Sequence, residues 1–459
     1  MSLFAPAEIF KAYDIRGIVQ SALTPEAVHN IGRAIGSEAI ELKQSTVAIG
    51  RDGRGSGPEL SNALSEGLRA SGANVIDVGM VATPMLYYAT HALNTHSGVM
   101  VTGSHNPPEY NGLKMVLAGE TLAGPRIQQL RERILKGQLT QGQGTYQTHD
   151  IAEAYLQRIL GDVKLARPMK IAVDCGNGIA GPTAPLLYQR MGCVVEPLFC
   201  DVDSRFPNHH PDPSQPKNLQ DLIQALREGG SEIGLAFDGD GDRLGVVTKQ
   251  GNIIFPDRQL MLFAAEVLSR NPGSDIIFDV KSTRNLFDWV RSHGGRPLLW
   301  KTGHSFIKAK LKETGAPLAG EMSGHMFFKD RWYGFDDALY AGARLLEILS
   351  KVNNVSAALD SLPDAVNTPE LHIQTQEGEN YRLMDILKTQ AHFEGSIETI
   401  DIDGIRVEYE DGFGLARPSN TTPVIVLRFE AQSEKSLQRI QAAFKQAFLN
   451  IKPDLQLPF

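Results

Sequence analysis

Residues 233–248 read IGLAFDGDGDRLGVVT: an apolar run, a loop carrying Asp238, Asp240, Asp242 and Arg243, and a second apolar run. Short apolar runs on either side of a glycine-rich polar segment predict two strands joined by a loop. The same plan recurs as GVMVTGSHNPPEYNGLKMV (98–116) and PLAGEMSGHMFF (317–328). Upstream of each lies a second shared pattern: TVAIGRDGRG (46–55), MKIAVDCGNG (169–178) and DIIFDVKSTR (275–284), ending near Asp52, Asp174 and Asp279. Apolar residues at helical spacing follow: Leu60, Leu64, Leu68; Leu186, Leu187, Met191; Leu286, Trp289, Val290. A glycine stops each helix (Gly72, Gly192, Gly294) before NVIDVG, VVEPLF or PLLW. This is a βαβ rhythm repeated three times, and it predicts an α/β fold. If the units pack around a shared centre, their three polar loops can converge on one cleft. After Pro363 and Pro369, a plausible hinge, the rhythm changes: LHIQT, helical YRLMDILKTQ, then GIRVEYE and PVIVLRFEA, and an amphipathic helix from about Ser433. The tail is therefore expected to be α+β.

The loops differ in chemistry. Three carboxylates at alternate positions, separated by glycines, can turn inward and offer the hard oxygen donors that suit Mg²⁺ or Ca²⁺. An EF-hand beginning at Asp238 would need glycine and glutamate where Arg243 and Lys249 stand, so that calcium reading fails. The alternative is a solvated acidic turn, but three carboxylates flanked by LAF and LGVV would repel one another without a cation. Ser104 precedes Pro107 and Pro108, which stiffen the backbone and could present the hydroxyl as a nucleophile and phosphoryl carrier; a turn serine bonded to local backbone fits equally well. Lys114 lies beyond Tyr110-Asn111-Gly112, where a tight turn could fold it back toward Ser104. Glu321, Ser323 and His325 alternate and would face one side in extended geometry, able to grip vicinal hydroxyls; a bulge or turn of no special role is the bland alternative. RPSNTTP (417–423) combines a bidentate cation with hydroxyls and an amide, a set that suits a phosphate dianion as well as a simple turn. His209 and His210 have no metal-ligand spacing and receive no role.

Composition narrows the class. Lys plus Arg number 45 against 53 acidic residues, a formal charge of -8, which argues against a broad nucleic-acid or membrane-surface binder. Three cysteines are too few for a disulfide scaffold and lack zinc spacing, so reduced, partly buried thiols in a cytoplasmic protein are expected. The first residues lack the basic and apolar regions of a signal peptide, and the apolar stretch at 260–268 is too short to span a bilayer.

Taken in order, KAYDIRG (11–17), TGSHNPPEYNGLK (102–114), FPNHHPDP (206–213), LAFDGDGDR (235–243), KTGHS (301–305), GEMSGH (320–325) and RPSNTTP (417–423) resemble the α-D-phosphohexomutase family. The resemblance covers essentially the whole chain. It implies three related α/β domains with mixed sheets plus a C-terminal α+β domain around a central cleft. These would be a phosphoserine-loop domain (1–149), a metal-binding domain (150–252), a sugar-binding domain (253–364) and a phosphate-binding domain (365–459). The implied reaction is reversible phosphoryl transfer between O1 and O6 of glucose and mannose phosphates. Glucose 1,6-bisphosphate or mannose 1,6-bisphosphate would serve as intermediate and activator. By resemblance, Ser104 carries the phosphoryl group, and Ser104, Asp238, Asp240 and Asp242 hold one Mg²⁺. Arg243 and Lys114 steady the transferring group, with Lys114, His325 and His105 as candidates for moving the proton. Glu321 and Ser323 hold sugar hydroxyls; His304 and Lys281 line the sugar site; Tyr13 and Arg16 stand near the cleft mouth. Arg417, Ser419, Asn420 and Thr421 bind the non-reacting phosphate. The expected partners are hexose phosphates alone, with no nucleic acid or membrane, and the chain is expected to be a monomer. A glucosamine-phosphate mutase and a phosphoserine-dependent sugar phosphatase are the rival enzymes; Met322 favours glucose and mannose over the amino sugar. A silent sugar-phosphate sensor would have no need of the serine.

Overall fold

The computed structural model describes residues 4–420 and 422–459. The first unit runs β1 (Thr46–Arg51), α1 (Gly57–Ala70), β2 (Asn74–Met80), α2 (Thr83–Ala92), β3 (Gly98–Val101) and β4 (Tyr110–Leu117). The second repeats it as β5 (Lys170–Asp174), α3 (Ala184–Arg190), β6 (Val194–Leu198), α4 (Gln220–Glu228), β7 (Ile233–Phe237) and β8 (Leu244–Thr248). The third is β9 (Asp275–Asp279), α5 (Asn285–Ser292), β10 (Arg296–Trp300), α6 (His304–Thr314), β11 (Leu318–Gly320) and β12 (Met326–Phe328). Each unit has one strand order: the first strand sits between parallel neighbours, and the last turns back antiparallel. The chemistry-bearing loops therefore all join the third strand to the fourth, as hairpins at equivalent corners of three sheets.

The sequence explains these elements locally. All five residues of β7 and of β8 are buried, so both read as continuous apolar runs. Helix α1 buries Leu60, Leu64 and Leu68 against its sheet. Gly72, Gly192 and Gly294 take φ of 101°, 101° and 78°, the left-handed region that ends a helix at little cost to glycine. One helical reading needs correction: Leu187 is buried but Leu186 faces solvent, because the short α3 turns only one stripe toward the sheet. A single apolar core runs from Ala48 to Leu362 through all three units, and a second cluster fills the far side of the first sheet. Among the described residues no helix is long and apolar enough to cross a membrane.

The tail is an antiparallel sheet with its own core. It contains β13 (Leu371–Gln374), β14 (Ile405–Tyr409), β15 (Gly412–Pro418) and β16 (Val424–Ala431), backed by α7 (Glu379–Gln390) and α8 (Glu434–Ile451). The proline-bearing stretch is not free: Val366–Asn367 pairs antiparallel with β16. Arginines dock the tail onto the third unit. Arg406, wholly buried, donates to the carbonyls of Val280 and Ser282 (both 2.7 Å) and lies 3.6 Å over the Phe413 ring. Arg428 reaches Lys281 O and Asp257, and Thr283 donates to Glu430 (2.8 Å). Val280, Phe413 and Leu415 form the apolar part of this seam.

Candidate active site

Ser104 sits at the tip of the β3–β4 hairpin, almost fully buried, with φ of 50°. Left-handed backbone at a non-glycine residue costs on the order of 1 kcal/mol or more and persists only where its surroundings impose it. The imposing groups are Arg54 and Asp52. The buried Arg54 guanidinium donates to the carbonyls of Ser104 (2.8 Å), Asn106 (2.6 Å), Pro107 (2.6 Å) and Tyr110 (2.9 Å). Asp52 accepts from Thr102 Oγ1 (2.8 Å) and Gly103 N (3.1 Å) and pairs with Arg54 (3.3 Å). Ser104 Oγ thereby stands 3.0 Å from Asp238 and 3.1 Å from His105 Nδ1.

The β7–β8 hairpin meets this loop directly. A methyl group on Gly239 would lie 2.3 Å from Ser104 O, so only glycine permits the approach. Asp238 accepts from the backbone of Asp242 (3.0 Å) and Arg243 (3.1 Å), which curls the loop inward. Thr83, the first residue of α2, donates to Asp240 through its hydroxyl (2.6 Å) and its N–H to Asp240 O (2.9 Å). Lys114 bridges Asp240 (2.8 Å) and Asp242. It does so from within β4, paired with Met100, rather than from beyond a tight turn: residues 110–112 belong to the strand, and pleating aims Lys114 at the second unit.

The third hairpin closes the cluster. Arg243 and His325 form an antiparallel bridge between units, and Leu244 N donates to Gly324 O (3.2 Å). Residues 321–325 are a tight turn, with Glu321 N bonded to His325 O (2.9 Å), instead of extended backbone. Glu321, Ser323 and His325 still converge, because the turn folds Glu321 Oε2 and Ser323 Oγ each to 3.0 Å from His325 Nδ1. His325 Nε2 lies 3.2 Å from Asp242. Burial disfavours a charged imidazole, but the Asp242 and Glu321 carboxylates outweigh it and push its pKa up to about 9. Burial pushes the aspartates up as well. Asp238, beside Asp240 and Asp242, is held well above the usual carboxylate range. Asp240 and Asp242 stay below it, the first through Lys114 and the second through Lys114 and His325. His105 and His304 are kept neutral chiefly by burial.

Asp238, Asp240 and Asp242 fit a divalent cation. One carboxylate oxygen from each lies within 4.8 Å of the others, and Asp240 Oδ1 is buried without a hydrogen-bond partner among the described residues. Such oxygens are the hard donors Mg²⁺ takes.

Beyond the triad, His304 opens α6, its ring 5.7 Å from those of Tyr13 and His325. Arg16 donates to Asn106 (3.1 Å) and pairs with Asp14 (2.6 Å), tying Ile15–Ile18, a strand antiparallel to β4, to the serine loop. Lys281 pairs with Glu370 of the tail (2.5 Å). Arg417, at the end of β15, pairs with Asp403 (2.9 Å), which also accepts from Thr302 N (2.9 Å); Arg417 Nη2 is buried without a partner among the described residues. Ser419 Oγ meets Thr422 Oγ1 at 3.0 Å, Asn420 is half-buried beside it, and Thr421 lies outside the described residues.

Reading the sequence missed the bracing residues. Asp52, Asp174 and Asp279 register there only as strand-end acids, yet each holds loops in its own unit. Asp279 accepts from Thr302 Oγ1 (3.0 Å) and Met322 N (3.1 Å). Asp174 holds His209 (3.0 Å), and the neighbouring His210 bonds to His105 O, so the histidine pair left without a role braces the serine loop. Their equivalent positions in the three repeats were the available signal.

Four matches cover the chain: phosphoglucomutase/phosphomannomutase alpha/beta/alpha domain I (residues 7–141), domain II (153–251) and domain III (255–366), and the C-terminal domain (370–447). The chain is 59% identical over 454 residues to a phosphoglucomutase of Neisseria meningitidis, spanning 98% of each. It is 56% identical to a phosphomannomutase/phosphoglucomutase of Pseudomonas aeruginosa, spanning 99% of this chain and 98% of the relative. A crystal structure of a phosphoglucomutase/phosphomannomutase family protein from Burkholderia thailandensis superposes with a TM-score of 0.95 at 57% identity, over 99% of this chain and 100% of that one.

The carbonyl clamp gives a test of preorganisation. Arg54→Lys keeps the charge but cannot reach four carbonyls. Its turnover is expected to fall about 10²-fold from a displaced Ser104, while thermal unfolding shows a loss of about 1–3 kcal/mol. Unchanged turnover would show that the clamp does not position the serine.

Proposed function

The chain belongs to the phosphoglucomutase/phosphomannomutase family, and we propose on that premise that it interconverts hexose 1- and 6-phosphates with Ser104 as phosphoryl carrier. It is an isomerase of carbohydrate metabolism. The observation that carries the reading is the meeting of Ser104 Oγ with Asp238 inside a cluster of three aspartates, Lys114 and His325. A phosphoryl group on Ser104 passes to the 6-hydroxyl of a hexose 1-phosphate, giving the 1,6-bisphosphate. The sugar turns end for end, and Ser104 Oγ takes back the phosphoryl group from O1, leaving the 6-phosphate.

Mg²⁺ held by Asp238, Asp240 and Asp242, with an oxygen on Ser104, would neutralise charge on the transferring group. Lys114 supplies fixed positive charge on the same carboxylates, and Arg243 stands at the junction of the second and third hairpins with its terminal nitrogens free of hydrogen-bond partners among the described residues. Proton movement belongs to Lys114, His325 and His105, of which His105 touches Ser104 Oγ. Glu321 and Ser323 hold adjacent sugar hydroxyls, with His304 and Lys281 beside them. Arg417, with Ser419, Asn420 and Thr421, binds the phosphate that is not reacting, and Tyr13 and Arg16 line the approach. Arg417 suits this task because Asp403 orients it through one nitrogen while another has no partner among the described residues.

Glucose and mannose differ only at the 2-hydroxyl, while Glu321 and Ser323 are assigned to the 3- and 4-hydroxyls, which they share. Discrimination between the two sugars should therefore be modest. Turning the bisphosphate over exchanges adjacent hydroxyls on that same grip.

Intact-protein mass spectrometry should find a fraction heavier by one phosphoryl group that maps to Ser104, and Ser104→Ala should lose mutase turnover. A label at another residue, or normal turnover in the variant, overturns the carrier assignment. Glu321→Ala should impair turnover of glucose 1-phosphate and mannose 1-phosphate by a similar factor, roughly 10- to 100-fold for a lost charged hydrogen bond. Loss of one activity alone would mean that Glu321 reads the 2-position.

A further inference from the structure

Of the three cysteines, Cys193 stands alone, whereas Cys175 and Cys200 face each other with their sulfurs 3.6 Å apart. Cys175 directly follows β5, and Cys200 comes two residues after β6. The two strands are parallel neighbours, and their pairing continues past the strand ends: Cys175 N donates to Leu198 O (3.1 Å) and Asn177 N to Phe199 O (2.8 Å). Backbone bonds therefore hold the thiols in register. A disulfide needs its sulfurs about 2.05 Å apart, so they must approach by about 1.5 Å. Cys175 is fully buried and Cys200 half-buried, so an oxidant meets Cys200 first.

We propose that Cys175 and Cys200 form a two-thiol oxidation site that a hydroperoxide converts to an intramolecular disulfide, shifting the active-site loops from behind. The Cys200 thiolate attacks the peroxide; the O–O bond breaks, hydroxide leaves, and Cys200 becomes a sulfenic acid. Cys175 sulfur then attacks the sulfenic sulfur, and the S–O bond breaks. The Cys175 proton leaves with that oxygen as water. Two thiols give up two electrons, and one hydrogen peroxide becomes two waters.

Both thiol-bearing loops touch the catalytic hairpins. Ile179, four residues after Cys175, donates its N–H to Gly239 O (3.1 Å) in the aspartate loop. Val202, two residues after Cys200, packs so tightly on Gly53 that a methyl group there would lie 2.2 Å from Val202 Cγ1. Gly53 lies between Asp52 and Arg54, the residues that clamp the Ser104 loop. Drawing the sulfurs together therefore pulls on both sides of the Ser104–Asp238 contact, and turnover should fall until the bond is reduced.

The test treats the full-length protein with hydrogen peroxide and titrates thiols after denaturation. The expected result is a fall from three thiols to one, with a peptide pair linked through Cys175 and Cys200. Mutase turnover should drop several-fold and return with dithiothreitol, and Cys200→Ser should keep its turnover through the same treatment. Three thiols remaining, or a link involving Cys193 or a second chain, overturns the site by a readout independent of the mutase reaction. A confirmed link with unchanged turnover overturns the coupling to the active site.

Discussion

Three buried aspartates within 4.8 Å of one another set the terms for everything around them. Like charges at that separation repel by roughly 3–4 kcal/mol per pair at an effective dielectric of about 20. The arrangement stands only because cations are brought to it: Lys114 from the first unit and His325 from the third. A site of this kind cannot be assembled within one unit. Its charge balance requires three sheets to present their hairpins at one point, and the shared core from Ala48 to Leu362 holds them there. The same balance ties chemistry to geometry, since the Ser104 hydroxyl approaches the cluster only where Gly239 leaves room for its carbonyl.

Repetition supplies the geometry cheaply. Each unit places an aspartate at the end of its first strand or directly after it, and each of those aspartates braces a loop of the cleft: Asp52 the serine loop, Asp174 the His209–His210 segment, Asp279 the loops at Thr302 and Met322. One architectural position thus does the same mechanical task three times, while the hairpins it supports differ: one carries Ser104, one the three aspartates, and one Glu321, Ser323 and His325. The fourth unit departs from the pattern and is attached by arginines that satisfy backbone carbonyls across the seam.

Much of this was legible in the sequence because polar loops stand out between buried strands. DGDGDR lies between LAF and LGVV, and its recurrence in register with TGSHNPP and GEMSGH marks equivalent corners. What escaped was held by groups with no sequence signature. Arg54 works through four backbone carbonyls, so no side-chain pattern announces its partners. The strand β15 was missed because GFGLARP contains two glycines and no β-branched residue. Alternation of side chains at 321–325 is compatible with extended backbone and with a turn, and only the hydrogen bond from Glu321 N to His325 O decides for the turn.

The central claim is that this carboxylate cluster exists to hold a divalent cation for chemistry and contributes little to the stability of the fold, which rests on the apolar cores. Measuring turnover and thermal unfolding side by side, with chelator and then with Mg²⁺ restored, tests it most directly. Turnover should vanish in chelator and return with Mg²⁺, while the unfolding temperature changes little. Full turnover in chelator would contradict the account, as would loss of the folded state on removing the metal.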